Sequence, residues 1–183
     1  IKDRFLLQTG IFITLIADVF LLVLGSYYII GIALFSVVQI IYSIRYDSKN
    51  TNRIIKKSII LFLALSTIYI FINNFILEIE FILILSFYYS ICLLSSTSKA
   101  VNLYTNSPSI NNKIIALAMI LFLLCDMNVA TYNLLHSSSL PSNFTVALKN
   151  ISFVSIWLFY LPSQVLLALS GYKGSYLKKL FQK

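Results

Sequence analysis

Two aspartates interrupt stretches of the chain that are otherwise apolar. Asp18 lies within IFITLIADVFLLVL and Asp126 within LFLLCDMNVA, and neither segment contains another charged residue. An ionisable side chain in such a stretch is costly in a membrane and usually marks a functional site. Removal from water disfavours the charged form of a carboxyl group, so a carboxylic acid there can hold a proton for transfer to a substrate. Both aspartates are therefore candidate catalytic acids or bases.

Other polar and small residues recur at helical spacing near these aspartates. Side chains three or four residues apart share one face of a helix, and a face of small and polar residues packs inward in a membrane protein. The pattern leaves two interpretations open: a packing role only, or a shared site at a buried cavity. The predicted inward sets are Gly10, Thr14 and Asp18; Gly31, Phe35, Gln39 and Ser43; Tyr69 and Asn73; Asp126, Ala130 and Asn133; and Tyr160, Gln164 and Ala168.

Other kinds of site have little support in the sequence. There is no P-loop, dinucleotide fingerprint or nucleophile elbow. Cys92 and Cys125 lie in apolar stretches without metal-ligand spacing, and His136 is the single histidine. We therefore predict no metal site and no cofactor.

The elements that would position the aspartates are membrane-spanning helices. Hydrophobic residues make up 59% of the chain and charged residues 11%, which is too little charge to cover a soluble domain. Runs of about 20 apolar residues predict spanning helices, and open strands cannot lie in lipid. We predict an all-α bundle of about six helices forming a single domain, residues 1–183. The predicted spans are Phe5–Leu24, Tyr27–Ile44, Ile59–Leu77, Phe81–Thr97, Ile114–Leu134 and Ile151–Ser170.

The basic residues predict the orientation of this bundle. With six crossings, every Lys and Arg except Lys149 falls on one side, which the positive-inside rule makes cytoplasmic. Both termini are then cytoplasmic, and residues 171–183 form a basic tail along the inner leaflet. The net charge of +8 therefore indicates topology and lipid contact, not nucleic acid. The predicted location is a cellular membrane, the plasma membrane if the source is bacterial.

The same segments resemble the YhhN/lysoplasmalogenase family over nearly the whole chain. The stretch from Gly10 to Gly25 resembles the family's first Asp helix, and GIALFSVVQIIY, ending at Tyr42, resembles its Gly–Phe–His–Tyr helix. LFLLCDMNVA resembles the second Asp helix, and WLFYLPSQVLLALS resembles the terminal Tyr–Gln helix. The resemblance implies Asp18 and Asp126 as catalytic residues. It implies Gln39, Tyr42, Tyr160 and Gln164 as substrate-binding residues.

The resemblance also implies an activity, the hydrolysis of the vinyl ether bond of a lysophospholipid by carboxyl acid/base chemistry. Gln39 stands where family members usually carry His, so this position has no titratable group. This departure leaves open a non-catalytic protein that binds a lipid or amphiphile. The carboxyl groups within the spans leave open a small transporter as well. Family members usually have about two more helices before the first Asp helix, so we also expect further hydrophobic sequence before Ile1.

Overall fold

The computed structural model describes residues 2–137 and 143–172, and these residues form six α-helices. Each is long and apolar enough to cross a bilayer, which confirms the predicted all-α transmembrane class and the number of spans. The chain is a multi-pass integral membrane protein. The helices are α1 (Lys2–Asp18, continued by a π-helical segment, Val19–Leu24), α2 (Tyr28–Tyr46), α3 (Thr51–Phe75), α4 (Phe81–Asn106), α5 (Ile110–Ser137) and α6 (Asn143–Leu169).

Several helices extend beyond the predicted spans. Helix α3 begins at Thr51 instead of Ile59, and α4 ends at Asn106 instead of Thr97. Similarly, α6 begins at Asn143 instead of Ile151. Hydrophobicity marks only the part of a helix that lies in hydrocarbon, whereas Lys and Arg are good helix formers that extend their charged ends toward water. The basic stretch before Ile59 therefore belongs to α3, and the link from α2 to α3 is short.

The chain divides into two compact units, Ile1–Ala100 and Val101–Lys183. In the first, Leu65 of α3 packs with Leu85, Tyr88 and Cys92 of α4, and apolar side chains of α2 complete this cluster. In the second, α5 and α6 pack against each other. The prediction of a single domain and the cytoplasmic placement of the termini stay predictions. Of the predicted basic tail, only Gly171 and Tyr172 are among the described residues.

Helices α1 and α2 form a closely packed antiparallel pair. Gly10 of α1 lies against the ring of Tyr42, and a Cβ added there would come within 2.9 Å of Tyr42 Cζ. Gly31 of α2 lies against the side chain of Leu21. Both contacts belong to one antiparallel register, which brings Thr14 level with Val38 and Asp18 level with Leu34. The connection between the two helices turns at Gly25, whose φ of +59° is readily adopted only by glycine.

Candidate functional site

The first unit contains three of the predicted site residues, Asp18 of α1 and Gln39 and Tyr42 of α2. Gln39 is fully buried, Tyr42 is 1% exposed and Thr14 is 3% exposed. Asp18 is half-buried. In the antiparallel register of α1 and α2, Asp18 and Gln39 are separated by about 7 Å along the helix axis, at ~1.5 Å per residue.

Asp18 is the last residue of α1 before the π-helical segment Val19–Leu24. Short π-helical segments in proteins often accompany functional sites, because the wider i→i+5 turn shifts the side chains that follow it. No residue type predicts this segment, since Val19–Leu24 is composed entirely of Val, Leu and Phe. The helix therefore changes from α to π directly after Asp18, one of the two predicted catalytic residues.

The Gln39 amide is held by Ser96, a residue of α4 that the sequence analysis missed. The Ser96 oxygen lies 2.6 Å from Gln39 Oε1 and 2.9 Å from the Leu93 carbonyl oxygen. A hydroxyl group has one proton to donate, so Ser96 cannot donate to both at once. If the amide is turned over, its N–H donates to Ser96 while Ser96 donates to Leu93. Gln39 is therefore engaged at one amide atom in either orientation.

The other amide atom of Gln39 is one of several buried polar atoms that the described residues leave without a hydrogen bond. Gln39 Nε2, Thr14 Oγ1, Tyr42 OH and Tyr46 OH belong to this group. Thr14 approaches Tyr42, but their geometry falls short of a hydrogen bond. A buried polar atom without a hydrogen bond costs about 1–3 kcal/mol, so these atoms favour a polar partner. The cluster is polar enough to bind an oxygen-rich ligand group.

An ion pair closes the end of this helix pair. Arg45 Nε donates to Asp3 Oδ1 at 2.8 Å, and the Arg45 NH2 group lies 3.4 Å from Asp3 Oδ2. The Arg45 side chain is 1% exposed whereas that of Asp3 is 61% exposed. The guanidinium also lies 5.8 Å from the centre of the Tyr46 ring. The first turn of α1 is thus tied to the last turn of α2, which fixes the register of the residues between them.

The second unit contains the other three predicted residues. Asp126 of α5 is half-buried, as are Tyr160 and Gln164 of α6. The Tyr160 ring centre lies 6.0 Å from that of Phe122, so α5 positions this tyrosine. Gln164 Nε2 is buried and has no hydrogen-bond partner within residues 2–137 and 143–172, and the same holds for Ser163 Oγ.

The predicted inward faces are only partly correct. All four residues of the α2 set are buried, and Gly10 and Thr14 of α1 are buried as well. Ala168 is exposed, however, and so are Ala130 and Asn133. An α-helix has 3.6 residues per turn, so residues four apart drift by about 40° at each step. The buried face of α6 instead contains Ser152, Ser163 and Leu167.

Tyr69 and Asn73 of α3, which the sequence also places inward, are half-buried and have structural partners. The Tyr69 ring packs edge-on against Phe81 at 5.5 Å between centres. Asn73 Oδ1 accepts the Ile79 N–H at 3.1 Å in the link to α4. Both residues therefore fix the turn between α3 and α4.

No group of three or more His, Cys, Asp or Glu residues that could hold a metal ion occurs among the described residues. The two half-buried aspartates belong to different compact units, and each unit also contains a buried glutamine amide atom that has no partner within the described chain.

Comparison with known proteins identifies the family of this chain. The model of the YhhN family matches residues 2–171. The chain belongs to the YhhN family. No curated protein and no solved structure matches it. Within this YhhN chain, both Asp18 and Asp126 lie inside the matched region.

Proposed function

We propose that this YhhN-family protein is a membrane-embedded hydrolase of the vinyl ether bond of a lysophospholipid. The observation that carries the proposal is the family match over residues 2–171, which includes both half-buried aspartates. A substrate with one long chain is itself a membrane lipid, so a site within the spans suits it. No metal or cofactor is needed for the reaction.

Vinyl ether hydrolysis needs one proton donor and one proton acceptor. A protonated carboxyl group transfers its proton to the β-carbon of the C=C bond, which leaves an oxocarbenium ion. The second, ionised carboxylate stabilises that cation and takes a proton from the attacking water, as the carboxylate pair of a glycosidase does. The resulting hemiacetal collapses to a fatty aldehyde and a glycerophospho alcohol. At the end of the reaction the two carboxyl groups have exchanged their protonation states, and one water molecule has been consumed.

We assign the two acid/base roles to Asp18 and Asp126, and binding roles to Gln39, Tyr42, Tyr160 and Gln164. Gln39 cannot exchange protons with a substrate, because an amide does not titrate. Its buried amide instead suits a hydrogen bond to a substrate oxygen. Tyr42 and Thr14 lie within the same polar cluster and suit the glycerol oxygens. An acid held in place by its surroundings contributes about 10²–10⁴-fold to such a rate.

Aldehyde release from a purified sample tests the activity directly. The full chain is incubated in D2O with an alkenyl lysophospholipid, and the aldehyde is trapped by reduction and measured by mass spectrometry. We expect one deuterium at the carbon next to the former aldehyde carbon, because the proton comes from an exchangeable acid. The saturated alkyl ether is the matched control and should release nothing. Absence of aldehyde from the alkenyl substrate would refute the proposal.

A non-catalytic lipid-binding protein is the second candidate, and the observation that favours it is Gln39 itself. The residue is fully buried and bonded to Ser96, where family members usually carry a titratable His. The substitution Gln39→His separates the two functions. If neither the unmodified protein nor Gln39→His releases aldehyde, and both bind the lysophospholipid, the non-catalytic binding function is supported.

A further inference from the structure

A groove of about 230 Å³ opens on the side of the first unit, lined by side chains of α2, α3 and α4. Its outer edge is formed by Ile59 and Leu63, which are 54% and 59% exposed. In a spanning segment these exposed surfaces meet hydrocarbon. The lining residues include Ile40, Ile55, Ser58, Ile59, Phe62 and Tyr88.

The polar atoms in the groove are already paired with each other. The Ser58 and Tyr88 hydroxyl groups form a mutual hydrogen bond. The Phe62 ring packs edge-on against Tyr88, with 5.3 Å between ring centres. Because these hydroxyl groups are already bonded to each other, the groove presents an apolar surface to its occupant. Such a surface suits a hydrocarbon chain and not a polar ligand.

The charged residues of α3 near the groove are all basic. Arg53, Lys56 and Lys57 lie in the first two turns of α3 and are exposed, and α3 contains no acidic residue. Lys56 precedes Ile59 by three residues and Leu63 by seven, so all three share one edge of the helix. From Lys56 to Leu63 the helix rises about 10 Å. Basic side chains at this level attract anionic lipid headgroups.

We propose that this groove binds an anionic phospholipid, with its phosphate group at the basic start of α3 and one acyl chain along Ile59 and Leu63. The positive charge at the mouth and the apolar lining below it match the two parts of such a lipid. The proposal does not depend on the hydrolase activity, because neither aspartate takes part in the groove.

Native mass spectrometry of the full chain tests this site. The protein is released from detergent after incubation with phosphatidylglycerol and phosphatidylcholine of identical chains. We expect retained phosphatidylglycerol to exceed phosphatidylcholine several-fold. Ile59→Trp fills the groove and should abolish this retention. Ile60→Trp is the matched control, since Ile60 is 65% exposed on α3 but does not line the groove; it should retain the lipid.

Two further variants keep the test decisive. Leu63→Trp fills the end of the groove that is farther from the basic turns of α3, and it replaces Ile59→Trp if that variant does not fold. The triple change Arg53→Gln, Lys56→Gln and Lys57→Gln should remove the preference for phosphatidylglycerol. Equal retention of the two lipids by the unmodified protein would overturn the proposal. Retention by the groove-filled variant equal to that of Ile60→Trp would overturn it as well.

Discussion

The packing of α1 on α2 predicts that Gly10→Ala destabilises the protein. The new methyl group would lie closer than 3.0 Å to two ring carbons of Tyr42 and 3.1 Å from its hydroxyl oxygen. Tyr42 is 1% exposed, so its ring has no space to move aside. Overpacking of this kind costs about 1–3 kcal/mol, whereas replacing Gly by Ala in a helix returns ~1 kcal/mol. We expect a net loss of up to about 2 kcal/mol.

For a chain of this length such a loss lowers the apparent Tm by up to about 4–8 °C. Thermal unfolding in detergent micelles, followed by the loss of helical circular dichroism, measures it. Gly31→Ala is the matched comparison: its methyl group meets Cγ and Cδ2 of Leu21, but Leu21 is half-buried and its side chain can change rotamer, so we expect a smaller shift. Tyr42→Leu should reduce the effect of Gly10→Ala in the double variant. A Gly10→Ala protein as stable as the unmodified one would refute the close helix contact.

Three further predictions concern hydrogen bonding, the ion pair and topology. Ser96→Ala removes the partner of the Gln39 amide and should cost about 1–3 kcal/mol, measured as a lower Tm, whereas Ser95→Ala at an exposed position should change little. Asp3→Asn breaks the pair with Arg45 and should cost about 1 kcal/mol, since Asp3 is largely exposed and its charge is screened; a loss that does not shrink in high salt would contradict this. In a background lacking Cys92 and Cys125, an impermeant thiol reagent applied to intact cells should label Asn143→Cys and not Asn50→Cys, and the reverse would overturn the orientation.

The number and type of the helices could be predicted from the sequence because hydrocarbon imposes a strong constraint. A long apolar run has few alternatives to a helix in lipid, so all six spans were found. Their ends were less predictable, as at Thr51 and Asn106, because a helix continues into the interface where hydrophobicity no longer marks it. The π-helical segment after Asp18 was not predictable for a related reason: Val, Leu and Phe are compatible with either helix type.

The candidate site was predictable as residue types but only partly as geometry. Gln39 is buried, as the spacing along α2 predicted. Ser96 was missed, although a signal was present: Ser95–Ser98 is a run of four hydroxyl residues in an apolar span. Which of those four would turn toward Gln39 depends on the rotation of α4, and its sequence pattern does not fix that rotation. The same uncertainty explains the error at Ala168.

Aldehyde release by aspartate variants tests the central claim most directly. Asn keeps the shape of Asp and most of its hydrogen bonding but removes the acid. Asp18→Asn, Asp126→Asn and the double variant are purified and checked for the unmodified Tm before turnover of an alkenyl lysophospholipid is measured. If both carboxyl groups act in one reaction, each single change should remove most of the activity, and the double change should lower it little further, because groups that act as a unit are not additive. Near-normal turnover in either single variant would contradict the assignment of these two residues as the catalytic pair.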